Sequence, residues 1–243
     1  CGSVFIAICA GCRTGMGINM ITAEKLASYF DHTQLRAYAT YADFEKLCNE
    51  ARLYGFAMVA INPAPVALCR KLLKDSTVHV GAAVGFPLGQ NTIEVKQMET
   101  LDAIRNGADE IDYVVNLTEL KEKNYDHVLR EMAAIVETCR RHGVLSKVIF
   151  ENCYLTKEEK VALCQIAREV QPDFIKTSTG FGTGGATFED VELMKKMVGD
   201  AVKIKAAGGI RNLETAMRMI ELGVSRIGST ASVSIVEELI RKG

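Results

Sequence analysis

From Ala23 onward the sequence alternates short apolar runs with longer amphipathic ones, about eight times over. The apolar runs are "ASYFDHT", "FAMVAIN", "VHVGAAVGF", "EIDYVVN", "SKVIFEN", "DFIKTST", "VKIKAAGG" and "SRIGST". Between them lie helical patterns over 41–54, 63–73, 92–106, 126–142, 156–170, 189–197, 213–222 and 231–241. Thr40 stands where the first of these needs a cap, and "TKEE" at 156–159 has the capping-box form. Gly107, Gly143 and Gly223 sit where helices stop. Repeated strand–helix alternation calls for a parallel sheet with helical crossovers. Eight such units in roughly 220 residues are what a closed (β/α)8 barrel of the TIM type requires. The alternative is an open doubly wound sheet, which sequence alone does not separate from closure. "AVGFPLG" is not followed by the GxGxxG fingerprint of dinucleotide folds, which weighs against it.

Composition narrows the function classes. The chain has 243 residues, 48% hydrophobic and 24% charged, with no linker to divide it, so a single domain over 20–243 is expected. A net charge of −1 gives no electrostatic case for nucleic acid or an anionic membrane. No apolar run is long enough to span a bilayer. Of eight cysteines, Cys48, Cys69, Cys139, Cys153 and Cys164 lie inside apolar segments, as reduced thiols of a cytoplasmic protein do. Cys9 and Cys12 form a CxxC with no second pair and no βαβ context, so neither a metal nor a redox role is assigned to them. Residues 1–19 carry no barrel pattern and no basic region of a signal peptide. They are read as a non-native or disordered leader with Met20 as the natural start, against the alternative of an ordinary N-terminal strand.

Each apolar run ends in something that does not belong in a core: Asp31, Asn62, the Gly85 turn, Asp112 with Asn116, Glu151, Lys176, Lys205 and Ser229. In a barrel these ends converge on one face, where active sites of such folds lie. Strand parity sends Asp112 inward while Ile111, Tyr113 and Val115 face the helices, and it sends Lys203 and Lys205 inward as well.

Lys176 and Lys205 are one βα unit apart, so they should stand level on strands six and seven. One reading is that each snorkels from the barrel mouth, paired with Asp112 or Glu151. The other is nucleophilic catalysis by imine formation. A lysine with pKa near ~10.4 is neutral only about once in a thousand at neutral pH. A second ammonium ~5 Å away, at an effective dielectric of ~20, adds about 3 kcal/mol of repulsion, with burial adding to it. Two inward lysines on neighbouring strands favour the imine reading. Asp112 is the candidate for proton handling, directly or through water, or for offsetting the lysine charges. Asp31 is the second candidate for proton handling, in a supporting role, unless it only orders the first loop by side-chain-to-backbone bonds.

Two late segments suit an anion. "AAGGIRN" carries Gly208 and Gly209 after strand seven, and "IGSTAS" carries Gly228 and Ser229 into a helix after strand eight. Barrels frequently hold phosphate in those two loops on backbone N–H groups. Gly180 and the Thr179 hydroxyl are candidates to complete the site.

Together, "DHTQLRAYAT", "VGFPLGQNTIEVK", "GADEIDYVVN", "DFIKTSTGFGTGGAT" and "KAAGGIR" resemble the deoxyribose-phosphate aldolase family from residue 22 to about 235. The resemblance implies a (β/α)8 class I aldolase that needs no cofactor and no metal. The implied reaction is reversible cleavage of 2-deoxy-D-ribose 5-phosphate to D-glyceraldehyde 3-phosphate and acetaldehyde, in deoxyribose catabolism. It implies Lys176 as the Schiff-base lysine, Lys205 as the lysine that lowers its pKa, and Asp112 as the aspartate of the proton relay. Asp31 matches the aspartate of the first-strand motif. Gly208, Gly209, Gly228 and Ser229 match the phosphate segments. Implied partners are a small sugar phosphate and aldehydes, with no nucleic acid, no membrane and a homodimer as the expected assembly. The sequence departs from the family pattern at Ala60, where many members have cysteine. It also ends "EELIRKG", where some members carry a tyrosine that assists proton transfer. A water on Asp112 is then the expected donor. A transaldolase-like lysine enzyme and a barrel that only binds a sugar phosphate are the competing readings.

Overall fold

The computed structural model describes residues 21–242. The expected leader, with Cys9 and Cys12, lies outside the described residues. Eight parallel strands close in sequence order into a barrel. They are β1 (Phe30–Gln34), β2 (Met58–Ile61), β3 (His79–Val84), β4 (Glu110–Val114), β5 (Leu145–Ile149), β6 (Phe174–Lys176), β7 (Lys203–Ala207) and β8 (Arg226–Ser229). Closure comes from β1 against β8, with Asp31 opposite Gly228. An open doubly wound sheet is thereby excluded.

The helices follow the amphipathic stretches: α1 (Ala23–Ala27), α2 (Tyr41–Tyr54), α3 (Val66–Leu72), α4 (Ile93–Arg105), α5 (Leu117–Lys121) and α6 (Tyr125–Arg141) in the first part of the chain. The second part has α7 (Lys157–Val170), α8 (Phe188–Val198), α9 (Leu213–Glu221) and α10 (Ser232–Lys242). Reciprocal capping boxes open α2 (Thr40 with Asp43) and α7 (Thr156 with Glu159), satisfying N–H groups that a helix start leaves bare. Two short helices have too few residues for a periodic signal. One is α1, which takes Ala27 out of the expected first strand. The other is α5, capped by Asn116, whose Oδ1 accepts the N–H groups of Thr118 and Glu119. The Asn116 side-chain oxygen is therefore taken up by a cap.

Alternate strand residues divide the interior into two chemistries. Val59, Val80, Ile111, Tyr113, Val148, Ile175, Ile204 and Ile227 face outward into a continuous apolar layer beneath the helices. Burial of that layer is the main favourable term holding the fold. The inward set is smaller in apolar content and heavily charged, as described next. Lys203 has the inward parity expected of it but starts β7 at the opposite rim, so it is exposed. Its ammonium lies over the Phe174 ring, 5.5 Å from the centroid. The five cysteines among the described residues are all free.

Candidate active site

The inward positions of β1, β4, β5, β6, β7 and β8 carry Asp31, Glu110 with Asp112, Lys147, Lys176, Lys205 and Arg226, and most are buried. Lys176 and Lys205 stand directly opposite in the β6–β7 register. Asp112 joins them: its Oδ2 accepts from Lys176 Nζ at 2.8 Å and from Lys205 Nζ at 2.6 Å. Lys205 also reaches Asp31 Oδ2 at 2.5 Å, and Asp31 is held from the other side by Arg226. Below this layer Lys147 Nζ donates to Asp112 Oδ1 at 2.8 Å and pairs with Glu110, which also meets Arg226 and His79. Charges this deep persist because each is paired; an isolated one would not.

Burial lowers the Lys176 pKa to about 8. The Asp112 carboxylate opposes that effect, and the Lys205 and Lys147 ammoniums reinforce it. The order of causes differs from the sequence expectation, in which like-charge repulsion led and burial was added. Asp112 intervenes between the two ammoniums and cancels much of their mutual repulsion. Burial alone would raise the Asp112 pKa, but Lys147, Lys176 and Lys205 together hold its carboxyl well below the usual range. Lys147 is pushed upward despite its burial, by Asp112, Glu110 and Asp31, so it is a fixed cation. Lys176 is thus set apart from Lys147 as the more readily deprotonated of the two.

Lys147, Glu110 and Arg226 were missed when only strand ends were considered. The signal was present as parity: Glu110 stands two before Asp112, Lys147 two before Ile149, and Arg226 two before Gly228. Glu151, by contrast, pairs with neither lysine. Its carboxylate turns to Thr179, accepting the Thr179 N–H at 3.1 Å and the hydroxyl of the same residue.

Above the ionic layer a cavity of about 550 Å³ opens, with Lys176 and Ala60 in its lining. The loops after β6 and β7 bring Thr179, Gly180, Gly208 and Gly209 to the same cavity, and the end of β8 brings Gly228 and Ser229. Gly209, at φ +81°, has nothing within 4 Å of where a Cβ would stand. Gly228 is a glycine for a different reason: a Cβ there would come 3.0 Å from Ala207 Cβ and 3.3 Å from Lys205 Cε. The Ser229 hydroxyl donates to the Ile210 carbonyl at 2.7 Å and accepts the Ala231 N–H, tying the β7 and β8 loops together. Among the described residues no cluster of three His, Cys, Asp or Glu side chains is placed to hold a metal ion. None of the described helices is long and apolar enough to cross a membrane.

A closed (β/α)8 barrel with a buried lysine of lowered pKa under a glycine-lined mouth suits a barrel aldolase. Comparison with known proteins makes the family explicit. A model of the DeoC/LacD family aldolases matches residues 25–229. A deoxyribose-phosphate aldolase of Lactobacillus acidophilus is 55% identical over 218 residues, covering 90% of this chain and 92% of the relative. Its counterpart in Bacteroides thetaiotaomicron is 54% identical over 217 residues, covering 89% and 91%. Among solved structures, the tetrameric deoxyribose phosphate aldolase of Aeropyrum pernix superposes with a TM-score of 0.85 at 30% identity, covering 91% and 94%. The chain belongs to the DeoC/LacD aldolase family.

Proposed function

We propose that this aldolase reversibly cleaves 2-deoxy-D-ribose 5-phosphate to D-glyceraldehyde 3-phosphate and acetaldehyde through a Schiff base on Lys176, in deoxyribose catabolism. The observation that carries the reading is a buried lysine at the cavity floor whose pKa is brought down to about 8. Enough of it is neutral at physiological pH to attack the aldehyde carbon of the open-chain sugar. Loss of water then leaves an iminium. The C2–C3 bond breaks as the C3 hydroxyl gives up its proton, and the bonding electrons pass to the iminium nitrogen as an enamine. Protonation at C2 and hydrolysis release acetaldehyde and return the amine.

Asp112 supports this sequence as a counter-charge beside the nitrogen. Held ionised by three lysines, it suits relaying a proton through a bound water better than storing one. Lys205 fixes Asp112 and keeps positive charge near the nitrogen, and Asp31 holds Lys205 from its other side. Lys147 anchors Asp112 from below. Backbone groups around Gly180, Gly208, Gly209, Gly228 and Ser229 are assigned to the phosphate, with open space where a Cβ would stand at Gly180 and Gly209. A homo-oligomer, with the dimer as its smallest form, belongs to the same proposal, and sedimentation at micromolar concentration tests it.

Borohydride trapping with acetaldehyde, located by peptide mass, is the direct test. The adduct is expected on the peptide containing Lys176, together with turnover of deoxyribose 5-phosphate. An adduct on another lysine, or none, would overturn the assignment.

A further inference from the structure

Glu151 has no part in the chemistry above, yet its conformation is costly. Two residues after β5, it adopts φ +57° and ψ +58°, a left-handed geometry uncommon for a residue with a side chain. The ladder to β6 continues on either side of it, with the Phe150 N–H on the Lys176 carbonyl and the Asn152 N–H on the Thr177 carbonyl, both at 2.9 Å. The side chain is 2% exposed. Its two oxygens hold the N–H and hydroxyl of Thr179, and the Thr179 hydroxyl oxygen in turn accepts the Phe181 N–H at 3.0 Å.

The loop that begins at Thr179 rests on this carboxylate. A Cβ at Gly182 would come 3.2 Å from Glu151 Cδ and 2.7 Å from Cys153 Sγ, so a larger residue there would push the Cys153 thiol or the carboxylate aside. The far end is pinned to the β7 loop. The Ala186 N–H donates to the carbonyls of Ala207 and Gly208, and a Cβ at Gly185 would stand 2.3 Å from the Gly208 carbonyl oxygen. Between these two anchors, Thr179, Gly180 and Phe181 line the cavity beside Gly208, Gly209 and Ser229.

We infer that Glu151 is a positioning residue for the phosphate subsite, acting through Thr179 to hold the 179–182 segment in an anion-accepting shape. The strained backbone is tolerated because it delivers the carboxylate beneath that loop. Deoxyribose 5-phosphate as the natural anion rests on the proposed function; the loop geometry does not. A carboxylate whose oxygens are taken up by Thr179, with the Cys153 thiol also on Oε1 at 3.9 Å, organises donors without itself meeting the phosphate. The phosphate would otherwise be repelled.

The test uses the whole chain and two readouts, calorimetric binding of inorganic phosphate and cleavage kinetics. Glu151→Ala should weaken phosphate binding by about 10- to 100-fold, the usual range for losing hydrogen bonds to a charged group. Its kcat/KM for deoxyribose 5-phosphate should fall by a similar factor, mainly through KM, whereas cleavage of unphosphorylated deoxyribose should change much less. Glu151→Gln keeps an acceptor for the Thr179 N–H and should recover most of the loss. Thr179→Val, which preserves shape, should reproduce it, and this pair decides the matter if Glu151→Ala does not fold. Equal losses on the two sugars, unchanged phosphate affinity, or no phosphate binding by the unsubstituted enzyme would overturn the inference. If phosphate binding depends on Glu151 but deoxyribose 5-phosphate is not cleaved, the proposed function fails and the inference stands.

Discussion

Lys176 and Lys205 share one oxygen. Asp112 Oδ2 lies 2.8 Å from the first ammonium and 2.6 Å from the second, and the two lysines are register partners on adjacent strands. A shared carboxylate changes what the second lysine does. It competes for Asp112 as well as repelling Lys176, so it limits how far the carboxylate can raise the Lys176 pKa.

The pH profile of kcat/KM should therefore show an ascending limb centred near 8, where Lys176 loses its proton. Trapping by acetaldehyde and borohydride, quenched at intervals across pH 6 to 10, should rise along the same limb. A limb near the ordinary lysine value would mean that burial is relieved in solution.

Lys205→Leu should shift that limb upward. It removes a like charge and leaves Asp112 freer to stabilise the protonated form of Lys176, and both changes favour the ammonium. Activity near neutral pH should fall steeply and recover in part as pH rises. Because burial leads the shift, the displacement should be smaller than the roughly two units that ~3 kcal/mol of bare repulsion would give. A profile that keeps its shape and merely drops would make Lys205 a substrate-positioning group.

Much of this arrangement is legible in the sequence, for physical reasons that differ by element. The helix α2 follows from a cap at Thr40, which is local; its end at Gly55, in the left-handed region, is seen only in the structure. The level placement of Lys176 and Lys205 follows from one βα unit of spacing in a parallel barrel. Closure is not local, because it depends on β1 meeting β8, and no residue of either strand announces it. The lattice of Glu110, Lys147 and Arg226 was missed because Glu110 and Arg226 open their strands and Lys147 lies mid-strand, away from the strand ends that mark the barrel mouth, and each charge looks out of place until its partner on another strand is known. Glu151 was legible as a strand-end acid, but its partner Thr179 was not, since the left-handed turn that aims it has no sequence signature in a glutamate.

The glycines of the mouth should separate by substitution. Gly209→Ala puts a methyl group into open cavity space at a positive φ, so it should raise KM for deoxyribose 5-phosphate and cost about 1 kcal/mol of stability. Gly228→Ala places its methyl against Lys205 Cε and Ala207 Cβ instead. It should lower kcat and move the ascending limb, with less effect on KM. Steady-state kinetics on both variants at several pH values distinguishes these outcomes.

Lys147→Met removes the cation that Glu110 and Asp112 share. Breaking a buried pair in this way typically costs about 3 kcal/mol or more. The remaining contacts of Glu110 with Arg226 and His79, and of Asp112 with Lys176 and Lys205, should keep the variant folded. Chemical denaturation should show the loss. The ascending limb should also move upward, because Asp112 then has one fewer cation to satisfy and Lys176 one fewer to repel it.

The last prediction concerns stability rather than turnover. The folded pKa of Lys176, about 8, lies below its ordinary value of 10.5, so between those two pH values the unfolded chain binds more protons at this site. Stability contributed by this residue therefore rises with pH through that window, and below about pH 8 the full cost of holding a buried ammonium remains. Lys176→Met fills similar space without a titrating group. The stability of the variant relative to the unsubstituted enzyme should be greatest below pH 8 and should shrink toward pH 10. The change should be about 3 kcal/mol, the linkage value of such a shift. Urea denaturation of both proteins at pH 7 and pH 10 measures the difference, and titrations common to both cancel. A gap that is flat across that range would show that Lys176 keeps an ordinary pKa, and the buried amine could not then be the source of nucleophilicity.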